Sequence, residues 1–448
     1  MKKFAILALA ALLVVAFTVP ATALENEFGG YWRTRFYNQG QFNGSSDIDN
    51  NLRVVDTRTH LYYTAKINDN LKFVNKFEFD TTWGSSRGSR DGSSVDAAGD
   101  SSNFGYGEVG ADGGNVEIKN SYADFNLGPV NLTVGVQPYA LFREFHISTD
   151  ASGIIGRWKV LDNFVLAGSW LKAFDGGGGT GNNEDVDAYT LTGAFWFSEN
   201  MSIKPSISYI HSSDAATYAN AELGGSPLIG NQISLAAIGV PGIDDQLDLW
   251  TYGFDFDASF DNFGIWFTAY GQTGTLDTSG GDVDFKGWLA AVGGNVALGP
   301  VDLHGQVIYT PGDDDSDDEL EQIYSPQGSY YWSEIMGLGT FDNAASAGST
   351  ADTIDNLMAF NIGATMKPMD KLKVTVDLWY AQLEEDEFAP GQEDELGTEL
   401  DVKVTYELVE GLNLDLIGAY LWAGDATSLD GNNQEDPYEF GARLSLSF

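Results

Sequence analysis

Charged side chains recur at alternate positions in several segments of this sequence, a pattern that can line a polar passage. The basic set comprises Arg33, Arg35, Arg58, Lys66, Lys72, Lys76 and Arg443. The acidic set comprises Asp255, Asp257, Asp377, Glu399, Asp401, Glu407 and Asp415. Because successive side chains of a strand point to opposite faces, each set would occupy one face of its strands. Opposed basic and acidic walls would create a transverse field across a water-filled space and filter solutes by charge.

The same charges have a second interpretation. A polar face inside a closed sheet can be filled by cross-strand ion pairs, which stabilise the sheet and filter nothing. The sequence leaves both interpretations open.

Residue types that carry catalysis are few and scattered. His60, His146, His211 and His304 lack the spacing of metal ligands. The glycine run 176–179 is not followed by Lys-Ser or Lys-Thr, so it differs from a phosphate-binding loop. We therefore predict no catalytic residue, no resident cofactor and no specific metal site.

Two acid-rich stretches, 313–319 and 384–387 with 393–395, can hold divalent cations loosely. Bound Ca²⁺ or Mg²⁺ would bridge these loops to lipopolysaccharide phosphates. Without such ions the loops would be solvated and mutually repelling. The chain has 65 Asp and Glu against 23 Lys and Arg, a net charge of -42. Nucleic acid is excluded as a partner, because like charges repel.

The elements that would position the charged residues are strands. In the last segment, one face carries Tyr438, Phe440, Ala442, Leu444, Leu446 and Phe448. The other face carries Glu439, Gly441, Arg443, Ser445 and Ser447. A wholly apolar face at a chain end is unfavourable in water but suits a lipid bilayer. Strands that are apolar outside and polar inside build transmembrane β-barrels.

Eight short turns divide the rest of the chain into hairpins. They lie at 68–70, 128–129, 161–163, 198–200, 261–262, 299–300, 368–370 and 410–411. The hairpins contain sixteen strands, and a first strand at about 27–38 and the last strand bring the number to eighteen; one misread strand would make it sixteen. We predict an all-β fold, a closed antiparallel up-and-down barrel with short turns at one end and long loops at the other.

Two features of the long-loop end bear on function. Aromatic residues there predict a girdle at the membrane interface: Tyr309, Trp379, Tyr380, Tyr420 and Trp422. The loops 225–243 and 329–341 are too apolar to be solvated. Either they fold into the lumen and narrow it, or they pack across the barrel mouth or against a neighbouring subunit.

The first residues predict export. Lys2 and Lys3 precede an apolar run that ends at Val19, and Ala21 and Ala23 are small residues of the kind that a signal peptidase reads. We predict a signal peptide at 1–23 and a barrel domain at 24–448. The sequence contains no cysteine, which removes disulfides and covalently attached haem.

The closing strand, with its terminal Phe448, resembles that of Gram-negative outer-membrane porins. The resemblance implies that the outer-membrane assembly machinery reads this strand, with Phe448 as the signal. It also implies a non-enzymatic outer-membrane channel for passive diffusion of small hydrophilic solutes, in contact with lipid and lipopolysaccharide. A homotrimer is the usual assembly of general porins. The excess of acidic residues favours cations or zwitterions as solutes.

Two functions of other classes stay open at this point. One is a structural sheath around a periplasmic partner such as a multihaem cytochrome, which would be silent in conductance recordings. The other is an outer-membrane hydrolase, which requires a Ser–His or metal site on the outer lip of the barrel.

Overall fold

The structure is a computed structural model that describes residues 24–42, 44, 51–84, 116–175, 185–213, 243–278, 280–313, 318–325, 330–337, 339–342, 354–385, 394–427 and 435–448. The predicted signal peptide, nearly all of the apolar loop 225–243 and much of both acidic stretches lie outside these residues. Among the residues described, no helix is long and apolar enough to cross a membrane.

Strands make up most of the described structure. The first ten are β1 (Glu25–Gly40), β2 (Leu52–Asn68), β3 (Leu71–Thr82), β4 (Glu117–Leu127), β5 (Val130–Leu141), β6 (Ile147–Leu161), β7 (Phe164–Phe174), β8 (Val186–Ser198), β9 (Met201–Ser212) and β10 (Ile243–Ser259). The next ten are β11 (Phe263–Thr278), β12 (Gly281–Phe285), β13 (Trp288–Leu298), β14 (Val301–Thr310), β15 (Glu319–Leu320), β16 (Leu357–Met369), β17 (Leu372–Gln382), β18 (Glu395–Val409), β19 (Leu412–Ala423) and β20 (Tyr438–Ser447). A 3-10 turn occupies Asp425–Thr427.

Eighteen of these strands form one closed antiparallel ring. Each pairs with its neighbours in chain order, and β20 pairs with β1 to close the ring. Phe448 continues this pairing, because its N–H and C=O bond to the backbone of Gly30 at 3.2 and 2.9 Å. The other two strands are short: β12 extends the β11 hairpin, and β15 pairs with β12. The predicted all-β barrel is confirmed, with eighteen strands and not sixteen.

The short turns lie where the sequence predicts them and connect ring strands at one end of the barrel. Gly128, Gly299 and Gly411 occupy three of them with φ of 60°, 65° and 83°. Glycine adopts this left-handed conformation without steric cost. At the other end, the connection between β5 and β6 spans only residues 142–146. This connection is therefore short although it lies at the long-loop end.

The two faces of the ring differ in polarity as the alternation predicts. Outward positions carry exposed apolar side chains such as Phe36, Ile154 and Phe440. Trp379 departs from its predicted place in the outer girdle. Only 3 % of Trp379 is exposed, because it lies on the inner face of β17 and packs against Trp332.

The largest cluster of buried apolar residues lies inside the ring. Side chains from the inner faces of β11, β13 and β14, namely Tyr270, Leu289 and Ile308, pack there against residues of two inserted segments. The first segment is 142–146, and the second is 330–342 without residue 338. These two segments place the polar groups of the candidate site.

Candidate functional site

The second inserted segment, 330–342, lies inside the lumen and contacts the part of the wall that runs from β14 through β17 and β18 to β1. The Phe341 ring stacks on Tyr37 of β1, with ring centroids 4.7 Å apart and planes inclined by 10°. Trp332 meets Trp379 of β17 edge-on at 5.2 Å. The described part of loop 329–341 therefore folds into the lumen, the first of the two positions that the sequence left open for this loop.

A carboxylate on β18 holds the middle of this segment. Glu399 is fully buried and accepts hydrogen bonds from the backbone N–H groups of Ile335 and Met336, at 2.7 and 2.9 Å. Asp401, two residues further along the same face, accepts the N–H of Glu334 at 3.3 Å. Buried backbone N–H groups need such acceptors, since an unpaired one costs about 1–3 kcal/mol. These two acids therefore anchor the segment.

A guanidinium on β1 holds the end of the segment. Arg35 is fully buried and donates to the carboxylate of Asp342 at 2.8 Å and to the carbonyl of Thr340 at 2.7 Å. Its other nitrogens bond to Asp56 of β2 at 2.5 to 3.1 Å. Arg33 lies 3.6 Å from Asp342. These opposite charges thus hold the end of the segment, residues 340–342, against β1.

The first inserted segment has an unusual backbone. Phe142, Arg143 and Glu144 have φ of 51°, 53° and 71°, a left-handed conformation that costs free energy in residues with a Cβ. Phe142 is held by stacking on Tyr270 at 4.9 Å, and Phe145 by stacking on Tyr330 at 4.0 Å. The two inserted segments therefore touch each other inside the lumen.

The strained turn directs Arg143 into the lumen. Its guanidinium lies 2.7 Å from the Asp257 carboxylate and 4.6 Å from the centre of the Trp266 ring. A cation over an aromatic face gains further stabilisation. Arg143 therefore connects the first inserted segment to β10 and β11.

Burial shifts two titratable groups of the inserted segments. It lowers the pKa of His146 to about 3, because the charged imidazolium is disfavoured away from water. It raises the pKa of Tyr330 to about 12, so the hydroxyl stays protonated and donates to Gln306 at 2.6 Å. Both groups are uncharged at neutral pH.

A cavity of about 620 Å³ lies beside segment 330–342. Its lining includes aromatic side chains from this segment, Tyr331 and Trp332, together with Trp379 from the wall. The charged groups of its lining are Arg33, Lys403, Arg443, Glu334, Asp342, Asp377 and Asp401. The space therefore has a mixed polar and aromatic surface in which both charge signs are present.

Most of the predicted basic residues have acidic partners on neighbouring strands. Arg58 bonds to Asp80 and lies 3.1 Å from Glu78, and Arg443 bonds to Asp415 at 2.7 Å. Lys72 lies 3.1 Å from Asp124, and Lys66 bonds to Glu27. Lys76 lies 6.0 Å from the centre of the Tyr62 ring.

These residues fall into two groups along the barrel. Lys66, Lys72 and the acid Glu407 lie close to the short turns, away from the inserted segments. Arg33 and Arg35 contact segment 330–342, and Arg443 pairs with Arg35 in the register of β1 and β20.

The predicted acids lie in two separate places. Asp377, Glu399, Asp401, Glu407 and Asp415 lie on β17 to β19, which adjoin β20 and β1. These five acids are therefore adjacent to the basic residues and do not oppose them, because strand β19 bonds to β20. Asp255 and Asp257 on β10 do lie about halfway around the ring, where Asp255 accepts a bond from Thr268 at 2.7 Å.

Several residues of the site were not predicted from the sequence. Asp342 and Glu334 lie in or next to an apolar loop, and Lys403 lies on an inner face by the same alternation that selected its neighbours, whereas His304 is inward as its position in the alternation predicts. His304 bonds to Asp377 at 2.8 Å. Alternation was thus a usable signal for Lys403, whereas no local pattern marks Asp342.

A closed ring of eighteen antiparallel strands, with parts of its own loops in the lumen, is the architecture of a porin-type barrel. No family model matches the sequence, and no curated protein matches it. Several solved structures match the fold. OccAB3 of Acinetobacter baumannii aligns with a TM-score of 0.58 at 9 % identity, over 95 % of this chain and 99 % of that chain.

OpdK of Pseudomonas aeruginosa, also called OccK1, aligns with a TM-score of 0.57 at 10 % identity, over 95 % of this chain and 98 % of that chain. A structure of OpdK with vanillate aligns equally well. These neighbours are outer-membrane porins with eighteen-stranded barrels. At such low identity the likeness shows the fold.

Proposed function

We propose that the chain is an outer-membrane channel of a Gram-negative bacterium that admits small hydrophilic solutes by passive diffusion. The observation that carries this proposal is the anchored segment 330–342 inside a closed barrel, beside a polar cavity of about 620 Å³. Buried charges on β1 and β18 hold this segment in the lumen, so the segment narrows the passage. The polar cavity beside it leaves space for a hydrated solute. Contact with lipid and lipopolysaccharide, recognition of Phe448 during assembly, and a homotrimer belong to the same proposal.

The charge balance supports a preference for cations or zwitterions. Most basic groups of the lumen lie beside carboxylates, so they leave little net positive potential. The whole chain carries a net charge of -42. Excess negative charge at a channel mouth raises the local cation concentration. Loosely held Ca²⁺ or Mg²⁺ at the acidic stretches would reduce this preference by screening.

Planar-bilayer recording of the refolded full chain tests the channel and its selectivity. We expect stable conductance steps that scale with salt concentration, and a reversal potential in a KCl gradient on the cation side. A heat-dependent shift in gel migration confirms that the barrel is folded. A folded barrel without conductance would overturn the channel and favour the sheath. That alternative has little support, because parts of the chain itself occupy the lumen.

A second candidate solute class is favoured by one specific observation. Arg33, Lys403 and Arg443 line the same cavity as Tyr331 and Trp332, so cationic and aromatic groups face one space, which the acids Glu334, Asp342, Asp377 and Asp401 also line. This combination suits an aromatic carboxylate, and the structural neighbour OpdK has been crystallised with vanillate. Vanillate should then reduce the open-channel current in a concentration-dependent way. Lys403→Gln should weaken this block, while Lys66→Gln, near the short turns, should leave it unchanged.

A further inference from the structure

Ser213, His211 and Asp248 lie in hydrogen-bonding order at the long-loop end of β9 and β10. The Ser213 hydroxyl oxygen is 3.2 Å from Nε2 of His211. Nδ1 of the same ring is 2.9 Å from a carboxylate oxygen of Asp248. Serine hydrolases use this order, in which the carboxylate orients one ring nitrogen and the other takes the hydroxyl proton.

Local strand geometry explains the arrangement. Ser213 directly follows the last residue of β9, and its hydroxyl lies on the same side as the His211 ring. Asp248 is the direct partner of His211 in the register of β9 and β10. Ser208 and Ile210 of the alternate set are buried on the lumen side, so His211 faces outward.

The carboxylate is held in place by further donors. The Tyr209 hydroxyl and the Gln246 side-chain amide both donate to Asp248. A fixed carboxylate on Nδ1 selects the ring tautomer that leaves Nε2 as an acceptor. The imidazole is therefore oriented to accept a proton from Ser213.

The three groups are open to an external reactant. Ser213 is exposed, and the side chains of His211 and Asp248 are 34 % and 24 % exposed. This distinguishes His211 from His146, which is fully buried among aromatic rings.

Aromatic side chains define where on the outer surface the group lies. The Tyr209 ring stacks on the outward Trp250 at 4.3 Å, and Trp250 and Tyr252 are 41 % and 50 % exposed. Rings of this kind lie at the boundary of a bilayer. Ser213 is four residues beyond Tyr209 toward the long-loop end, which places its hydroxyl on the water side of these rings.

We propose that Ser213, His211 and Asp248 form a hydrolase centre on the outer lip of the barrel, which cleaves carboxylic esters of lipids in the adjoining leaflet. This activity is separate from conduction through the lumen. Ser213 is the nucleophile, His211 the general base and acid, and Asp248 the group that orients His211.

The reaction has two balanced steps. In the first, the Ser213 oxygen attacks the ester carbonyl carbon while its proton passes to His211 Nε2. The bond from that carbon to the alcohol oxygen then breaks, and His211 returns the proton to this oxygen, which leaves as the free alcohol. In the second, His211 takes a proton from water while the water oxygen attacks the acyl carbon; the bond from that carbon to the Ser213 oxygen breaks, His211 returns the proton to Ser213, and a free carboxylic acid is released.

Covalent labelling of the folded full chain by a fluorophosphonate probe tests the nucleophile. We expect the chain to be labelled at Ser213, Ser213→Ala to lose labelling, and His211→Asn to slow it by about 100-fold or more. Ser198→Ala is the matched control, because Ser198 is an exposed serine at the opposite end of the barrel. A folded chain that resists the probe, or Ser213→Ala that is still labelled, would overturn the proposal.

A second measurement identifies the ester class. Release of fatty acid from phosphatidylethanolamine in mixed micelles should be lost in Ser213→Ala, whose conductance should equal that of the unaltered chain. Hydrolysis of 4-nitrophenyl acetate without any release from phospholipid would refute the lipid substrate. Loss of conductance in Ser213→Ala would refute the separation of the two activities.

Discussion

The guanidinium of Arg35 and the carboxylate of Asp342 lie 2.8 Å apart although 307 positions separate them in the chain. Arg35 is fully buried on the first strand, and Asp342 ends the inserted segment inside the lumen. The pair therefore connects the wall of the barrel with the segment inside its lumen.

Removing the charge of Arg35 should destabilise the barrel. Arg35→Met would leave Asp56 and Asp342 without their shared cation, and breaking a buried ion pair costs about 3–5 kcal/mol. Urea unfolding in detergent micelles, followed by tryptophan fluorescence, measures the change in unfolding free energy. Arg33→Met is the control, since Arg33 is 3.6 Å from Asp342 and should contribute less. Equal losses in the two variants would contradict this assignment.

Removing the Glu399 carboxylate should release the middle of the inserted segment. Glu399→Ala leaves the N–H groups of Ile335 and Met336 without acceptors, at about 1–3 kcal/mol each. We expect a larger and noisier single-channel conductance. Glu407→Ala, on the same strand near the short turns, serves as the control and should conduct normally. Unchanged conductance in Glu399→Ala would mean that the segment does not limit ion flow.

Truncation of Phe341 should weaken the end of the same segment. Its ring is fully buried against Tyr37, and replacing a buried phenylalanine by alanine costs about 3–5 kcal/mol. The expected result is faster protease cleavage within 330–342 of the folded barrel. Phe440→Ala removes an equally large but outward ring, and its cleavage rate should match that of the unaltered chain.

Acid should loosen the first inserted segment. Burial lowers the pKa of His146 to about 3, whereas the ring titrates near 6.5 when the segment opens. The open state therefore binds a proton that the closed state rejects, and closure loses stability as the pH falls below 6.5. At pH 5 the loss is about 2 kcal/mol, from 1.36 kcal/mol per pKa unit.

Hydrogen exchange of residues 142–146 measures this effect. Protection, corrected for the intrinsic exchange rate, should fall between pH 6.5 and 5 in the unaltered chain. His146→Phe keeps an aromatic ring and removes the titration, so its protection should be independent of pH in this range. A pH-dependent His146→Phe would assign the effect to another group.

The ring of strands could be predicted because its rules are local. Alternation with a period of two and turn residues such as Gly128 and Gly299 fix each hairpin, and eighteen strands follow from counting them. The alternation from Tyr438 to Phe448 predicts the last strand, and this strand closes the ring against β1.

The interior could not be predicted in the same way. Trp379 is of a residue type that is common in interfacial girdles. Its position in the alternation nevertheless puts it on the inner face, where Trp332 covers it. The bond between Arg35 and Asp342 depends on the path of a loop, which no periodicity encodes. The grouping of Ser213 with Asp248 likewise requires the register of two strands that are separated by a long connection.

Phe341 lies over the junction where the two ends of the sheet meet. Its ring stacks on Tyr37 of β1, and a Cβ on Gly441 of β20 would come within 2.6 Å of it. This surface does not exist until β1 and β20 have paired. The inserted segment therefore makes all of its contacts only in a cylinder whose first and last strands are paired, so protection of Phe341 from solvent reports that the sheet is closed.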